Sequence, residues 1–194
     1  MFSAAILAGG QAARFGGRDK SALVVDGRGI LDRQLVELSA ATADVMLVGS
    51  PRSCPAPARA VADLVSGSGP LGGVHAALVN ARYDAVFIVA CDMPFVTAAL
   101  ASYLVSLAAA ADIVVPRTER GYHPLCAVYA RACVDAVTRR LGARRLKMTD
   151  LFGAVRTRVV APAELVPLGG ERLLANVNTP AEFADLEALR GHKL

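Results

Sequence analysis

The chain has 194 residues, of which 54% are hydrophobic and 20% charged, so it is long and apolar enough for one domain with a real core and is not a disordered segment. Its formal net charge is +4, yet aromatics make up only 5% and no lysine or arginine block is interleaved with them, which argues against a nucleic-acid surface. No apolar run of about 18 residues is free of charges and breakers, so no membrane span is expected; Phe2–Ala8 is too short for a signal segment, and the expected location is the cytoplasm.

Strand and helix signals alternate along the chain. Phe2–Leu7 is a short apolar run ending in Gly9-Gly10 and reads as a buried strand. From Ile30 to Ala41 the apolar residues Ile30, Leu31, Leu35 and Leu38 share one helical face. Val45–Val48 is a strand stopped by Gly49 and Pro51, and Pro70–Ala81 is a helix with proline where its missing N–H costs little. "AVFIVA", residues 85–90, is the strongest strand signal, apolar throughout as in a strand covered on both faces. Thr97 is placed to cap a helix running to Ala110. Ile113–Val115 and Leu125–Tyr129 read as further strands, and Thr179-Pro180-Ala181-Glu182 is a capping box opening a helix to about Leu189. This order predicts one α/β domain over 1–194 with a mostly parallel sheet, whose ligands bind at the carboxyl ends of the strands.

Three features fall at those ends. The first is "ILAGGQAARFGGRDKS", residues 6–21, which packs four glycines, two arginines and a lysine into the opening loop. Gly9 and Gly10 permit backbone N–H groups to face a ligand, and Arg14 and Lys20 add charge suited to phosphates. It is not a P-loop, because Asp19 stands before Lys20 where that motif needs glycine. A solvated surface loop is the alternative reading. The second feature, Gly67-Ser68-Gly69-Pro70-Leu71-Gly72, matches G-x-G-x-x-G but does not join the first strand to its helix, so a dinucleotide fingerprint is not expected. The third is Asp92, directly after the strongest strand, which suits a carboxylate holding Mg²⁺ against phosphates or a turn-forming aspartate near Pro94.

Cys54, Cys91, Cys126 and Cys133 form no C-x-x-C pair and read as free thiols, mostly in the core. "RRLGARRLK", residues 139–147, is a second basic cluster, either an anion site or a solvated helix end. His123 reads as a turn or packing residue before Pro124, with substrate orientation as the alternative, and His75 as structural within its helix.

Taken together, "LAGGQAARFGGRDK", "DLVSGSGPLGGVHAAL", "CDMPF", "HPLCAVY" and "NVNTPAEF" resemble, in order, the motifs of the molybdenum cofactor guanylyltransferase (MobA) family, over Leu7–Phe183. The resemblance implies a three-layer, Rossmann-like nucleotidyltransferase domain that uses GTP, molybdenum-bound molybdopterin and Mg²⁺, releases pyrophosphate, and leaves room for transient contact with other molybdenum cofactor biosynthesis proteins. It implies that Leu7, Ala8 and Gly9 hold the nucleotide through backbone groups, that Lys20 binds its phosphates, that Asp63 contacts the nucleotide and that Asp92 meets both nucleotide and Mg²⁺; the loop's own chemistry adds Gly10 to the backbone cradle and Arg14 to the phosphate charge. Asn176 and Asn178 would face the reaction centre or the pterin, and Arg144, Arg145 and Lys147, in the loop that lies toward the pterin side in the family, are candidates to hold the second substrate's phosphate. Two departures stand out: Val48-Gly49-Ser50 replaces an asparagine common near the second strand, and Phe15, expected in the core, replaces a common methionine. A phosphate nucleophile is already ionised at neutral pH, so the absence of an obvious general base is consistent with this chemistry. The rivals are a molybdopterin cytidylyltransferase, a sugar-phosphate nucleotidyltransferase and a non-catalytic nucleotide-binding module. L-A-G-G rather than L-A-A-G at the opening favours guanine by resemblance alone.

Overall fold

The computed structural model describes residues 1–8, 24–25, 28–49 and 54–177. In chain order, β1 (Ser3–Leu7) is followed by a two-stranded antiparallel ribbon of β2 (Val24–Val25) and β3 (Arg28–Gly29), then α1 (Ile30–Ala41), β4 (Asp44–Val48) and β5 (Arg59–Val61). Next come α2 (Gly69–Asn80), β6 (Ala85–Ala90), α3 (Ala98–Ser106), β7 (Ile113–Thr118), β8 (Gly121–Tyr122) and β9 (Cys126–Ala130). The described chain closes with α4 (Val134–Gly142), β10 (Thr157–Val160) and the short α5 (Pro162–Leu165).

The central sheet runs β10-β7-β9-β6-β1-β4-β5, with β8 paired to β7. The pairs β1–β4, β1–β6, β4–β5 and β7–β10 are parallel. β9 runs antiparallel to both neighbours, β6 and β7. Its direction follows from chain length: only residues 119–125 separate β7 from β9, too few for the crossover of about a dozen residues that a parallel return requires. The sheet is thus mostly parallel with one reversed strand.

Each central strand is buried on both faces, which explains its unbroken apolar sequence. Ala4 and Ile6 of β1, Val45 and Leu47 of β4, and Phe87 and Val89 of β6 face a core completed by Leu35, Leu38, Leu100 and Leu104 from α1 and α3. Their alternates Ala5, Leu7, Met46, Val48, Val86 and Ile88 face a second core with Leu71, Val74 and Leu78 of α2 and Val137 and Leu141 of α4. The result is three layers, helix on sheet on helix. Each fully buried Leu, Ile or Phe contributes about 1.5–3 kcal/mol.

Local signals fix the helix ends. Thr97 accepts a hydrogen bond from Leu100 N at 3.2 Å, as its capping pattern predicts. The α-helix it opens ends at Ser106, and residues 107–110 tighten into a 3₁₀ turn, shorter than the helix to Ala110 expected from the sequence. Glu37 of α1 also accepts from Ala98 N at 2.8 Å, tying α1 to the start of α3. The expected helix from Pro180 and the expected core role of Phe15 lie outside the described residues.

The glycines at 67–72 serve a turn. Gly67 and Gly69 take φ of +69° and +55°, which L side chains rarely adopt. A Cβ on Gly72 would sit 2.9 Å from Ser68 Cβ and 3.2 Å from Val65 O. The letter match to a dinucleotide fingerprint is therefore explained by how tightly the chain turns into α2.

Candidate active site

The carboxyl ends of β1, β4, β5 and β6 lie side by side. Ala8 N donates to Val48 O at 2.9 Å, Gly49 N to Val61 O at 2.9 Å, and Cys91 N to Leu7 O at 3.2 Å, so the ladder continues one residue past each strand. Two backbone groups of the expected nucleotide cradle, Leu7 O and Ala8 N, are engaged in this ladder. Leu7's side chain is buried against α2, where a Cβ on Gly73 would meet its two δ-methyls at 3.4 Å. Asp63 stands exposed two residues beyond β5, on the same edge.

Asp92 follows β6 in a turn closed by Met93 N donating to Ala90 O at 3.3 Å. Its backbone carbonyl accepts Val177 N at 2.8 Å, and its Oδ1 accepts from Asn176 Nδ2 at 3.3 Å. Two segments singled out separately in the sequence, "CDMP" and "NVN", therefore meet across 84 positions of chain. Asp92 is half-buried.

Among the described residues no group of three or more His, Cys, Asp or Glu is arranged to hold a metal ion. The oxygen donors at Asp92 and Asn176 still suit Mg²⁺, which keeps waters and binds through one or two carboxylates plus substrate phosphates instead of an all-protein cage.

Beside this turn lies a cavity of about 180 Å³ lined by Met93, Tyr122, His123, Pro124, Leu125 and Asn176. His123 forms one wall; its Nε2 lies 2.9 Å from Thr118 Oγ1 and its backbone N donates to Pro116 O at 2.9 Å. Burial pushes its imidazole below the ordinary value, with nearby Arg120 acting in the same direction and Glu171 opposing. The packing role expected from the sequence is present, and the same ring also faces the cavity. Tyr122 is fixed by an edge-on contact with Phe152, centroids 5.0 Å apart, and by the Arg117 guanidinium 5.1 Å from its ring centre.

The basic cluster follows α4. β9 descends to the amino edge of the sheet and leads into α4, which packs on α2 with His75 Nε2 of α2 and Thr138 Oγ1 of α4 3.0 Å apart. Arg144, Arg145 and Lys147 are exposed in the turn at its end, where Arg144 takes φ of +55° and Lys147 Nζ lies 3.9 Å from Asp150 Oδ1. Gly9, Gly10, Arg14, Lys20 and Asn178 lie outside the described residues. Of the cysteines, Cys91, Cys126 and Cys133 are buried and Cys54 is half-buried; all four are free thiols. Gln34, unremarked in the sequence, is buried beneath the Asp92 turn. Its signal is its position in the buried stripe of α1, four residues after Ile30 and four before Leu38.

Asp92, at the carboxyl end of a central strand and met by Asn176 from the far end of the chain, lies where α/β sheets take their ligands. Solved structures share the architecture. Molybdopterin-guanine dinucleotide biosynthesis protein A from Archaeoglobus fulgidus superposes with a TM-score of 0.79 over 98% of this chain and 100% of its own, at 23% identity. The 2-C-methyl-D-erythritol 4-phosphate cytidylyltransferase of Thermus thermophilus gives 0.69 over 97% and 98%, at 19% identity. The chain belongs to the MobA-like NTP transferase domain family, whose model matches residues 4–159. It is 36% identical over 181 residues to the probable molybdenum cofactor guanylyltransferase of Pelotomaculum thermopropionicum, covering 92% of this chain and 88% of that one. It is 33% identical over 187 residues to the molybdenum cofactor guanylyltransferase of Desulfosudis oleivorans, covering 94% and 93%.

Proposed function

We propose that residues 1–194 act as one nucleotidyltransferase domain that moves GMP from GTP onto molybdenum-bound molybdopterin, forming the guanine dinucleotide cofactor and pyrophosphate. The observation that carries this reading is the hydrogen bond between Asn176 and Asp92 at the end of β6, which joins the strand-end carboxylate to the late asparagine motif. The names of the sequence relatives supply guanylyl transfer and the molybdenum cofactor, and that of the structural neighbour from Archaeoglobus fulgidus supplies molybdopterin and guanine.

In the reaction, the pterin's terminal phosphate oxygen forms a bond to the α-phosphorus of GTP. The bond from that phosphorus to the bridging oxygen breaks, and pyrophosphate leaves with the electron pair. The acceptor phosphate is already ionised, so the protein supplies position and charge rather than a base. Asp92 is assigned to the cation, and Asn176 holds its carboxylate through Oδ1. A bound Mg²⁺ supplies charge neutralisation at the phosphates. Arg14 and Lys20 are assigned to the β- and γ-phosphates, Leu7–Gly10 and Asp63 to the nucleotide. Arg144, Arg145, Lys147, Asn176 and Asn178 are assigned to the pterin side, where His123, neutral at pH 7, adds a wall. No helix among the described residues is long and apolar enough to cross a membrane, and the small-molecule substrates suit the cytoplasm.

Thermal unfolding with GTP, CTP, ATP or UTP and Mg²⁺ tests the base and the class together. A selective ligand at about 100 times its Kd adds about 2.7 kcal/mol of stability. Stabilisation by GTP above the other three is the expected result. Preference for CTP would reject the guanine assignment, and no response to any nucleotide would reject the class of substrate.

A further inference from the structure

We infer that Gln34 is a positioning residue for the Asp92 turn, acting from inside the core; this rests on the reading of Asp92 as the group that meets the cation. Gln34 is 1% exposed, in the middle of α1. Its Nε2 donates to Ala90 O at 2.8 Å and to Met93 O at 3.0 Å. These two carbonyls bracket Asp92, one just before the turn and one just after it, so both amide hydrogens are spent fixing the segment that carries the carboxylate. From the other side, Val177 N holds the Asp92 carbonyl and Asn176 holds Oδ1. The turn is clamped between α1 beneath and residues 176–177 above.

The residue type fits this duty better than it fits the core. Position 34 belongs to the buried stripe of α1, where a leucine would pack without burying an amide. Gln34 Oε1 has no hydrogen-bond partner among the described residues, a cost that a choice made for stability alone would avoid. A lysine would also donate to both carbonyls, but it would bring a fixed cation beneath the place assigned to a divalent one. A neutral side chain with two donors on one nitrogen satisfies both carbonyls and leaves the carboxylate's charge for its ligand.

The test is Mn²⁺ binding, followed by electron paramagnetic resonance with GTP present, alongside steady-state kinetics. Gln34→Met removes both donors at similar volume, and Gln34→Asn keeps the amide but shortens its reach, giving a milder variant should Gln34→Met not fold. Outer partners that orient a metal-binding group typically change affinity 10–100-fold, so Gln34→Met is expected to weaken Mn²⁺ about 10-fold and lower kcat, with little change in the KM for GTP, and Gln34→Asn to fall between it and wild type. Asp44→Asn, which loosens the opposite edge of the sheet, serves as the stability control; it is expected to lower the thermal midpoint while leaving Mn²⁺ affinity unchanged. Wild-type Mn²⁺ affinity and kcat in both Gln34 variants, with Asp92→Asn losing the ion, would overturn the role of Gln34 alone. Unchanged Mn²⁺ binding in Asp92→Asn would overturn the cation site itself, and Gln34's role with it.

Discussion

Asp44→Asn probes the edge of the sheet opposite the site. Asp44 is 1% exposed. It accepts from Ser3 Oγ at 2.6 Å, from Arg59 Nε at 2.9 Å and Nη2 at 3.3 Å, and from Arg82 N at 3.2 Å. Burial alone would raise its carboxyl pKa. The hydrogen bonds from Arg59, Ser3 and the Arg82 backbone outweigh burial and hold it below the ordinary value. Asparagine keeps the shape but turns an NH₂ toward some of these donors and removes Arg59's counter-ion. Breaking a buried pair costs about 3–5 kcal/mol, and hydrogen bonds to a charged group contribute about 1.5–3 kcal/mol each. Arg59 is 31% exposed, so water recovers part of this, and the expected loss at pH 7 is about 2–3 kcal/mol. Urea unfolding across a pH series measures it. Because the folded carboxyl is depressed, its contribution is full above the ordinary value of about 3.9 and drains away as pH falls below it. The two stability curves should therefore converge in acid. A loss under about 1 kcal/mol at pH 7, within the ordinary range of point mutants, or a gap that persists in acid, would refute this reasoning.

Other perturbations act nearer the site. Gly72→Ala places a Cβ 2.9 Å from Ser68 Cβ, so the 65–68 turn must shift; a loss of about 1–3 kcal/mol in unfolding free energy and weaker GTP binding by calorimetry are expected. Charge reversal at exposed Arg144 and Arg145 should raise the KM for the molybdopterin substrate and spare that for GTP; an unchanged pterin KM would make this turn a solvated helix end. His123 is held below the ordinary imidazole value, so its neutral form is favoured in the fold and wild-type stability should fall as pH drops below about 6.5. His123→Gln should remove that slope, read from thermal midpoints across pH.

The central strands were legible because both faces of β1, β4 and β6 are buried, which forces continuous apolar runs. β5 and β10 left no such run. β5 is an edge strand in which only Val61 of Arg59–Val61 is buried, and β10, at the other edge, buries only Val160. Polar residues on a sheet edge look like loop. Asp92 was legible from its place after "AVFIVA", whereas its contact with Asn176 was not, since nothing in spacing links positions 84 apart. Gln34 was missed because one glutamine in a helix normally faces water. Only its place in line with Ile30 and Leu38 marks it. The glycine run at 67–72 matches a dinucleotide fingerprint in its letters, and the structure gives a local reason for its glycines: the positive φ of Gly67 and Gly69 and the close approach at Gly72 in the turn into α2.

The central claim is tested most directly by following pyrophosphate release and GMP incorporation with GTP, Mg²⁺ and molybdenum-bound molybdopterin, in wild type and in Asp92→Ala. The account predicts stoichiometric pyrophosphate and guanine dinucleotide product from wild type, and loss of both in an Asp92→Ala protein that unfolds at nearly the wild-type temperature. Mg²⁺-dependent turnover retained in Asp92→Ala would contradict it.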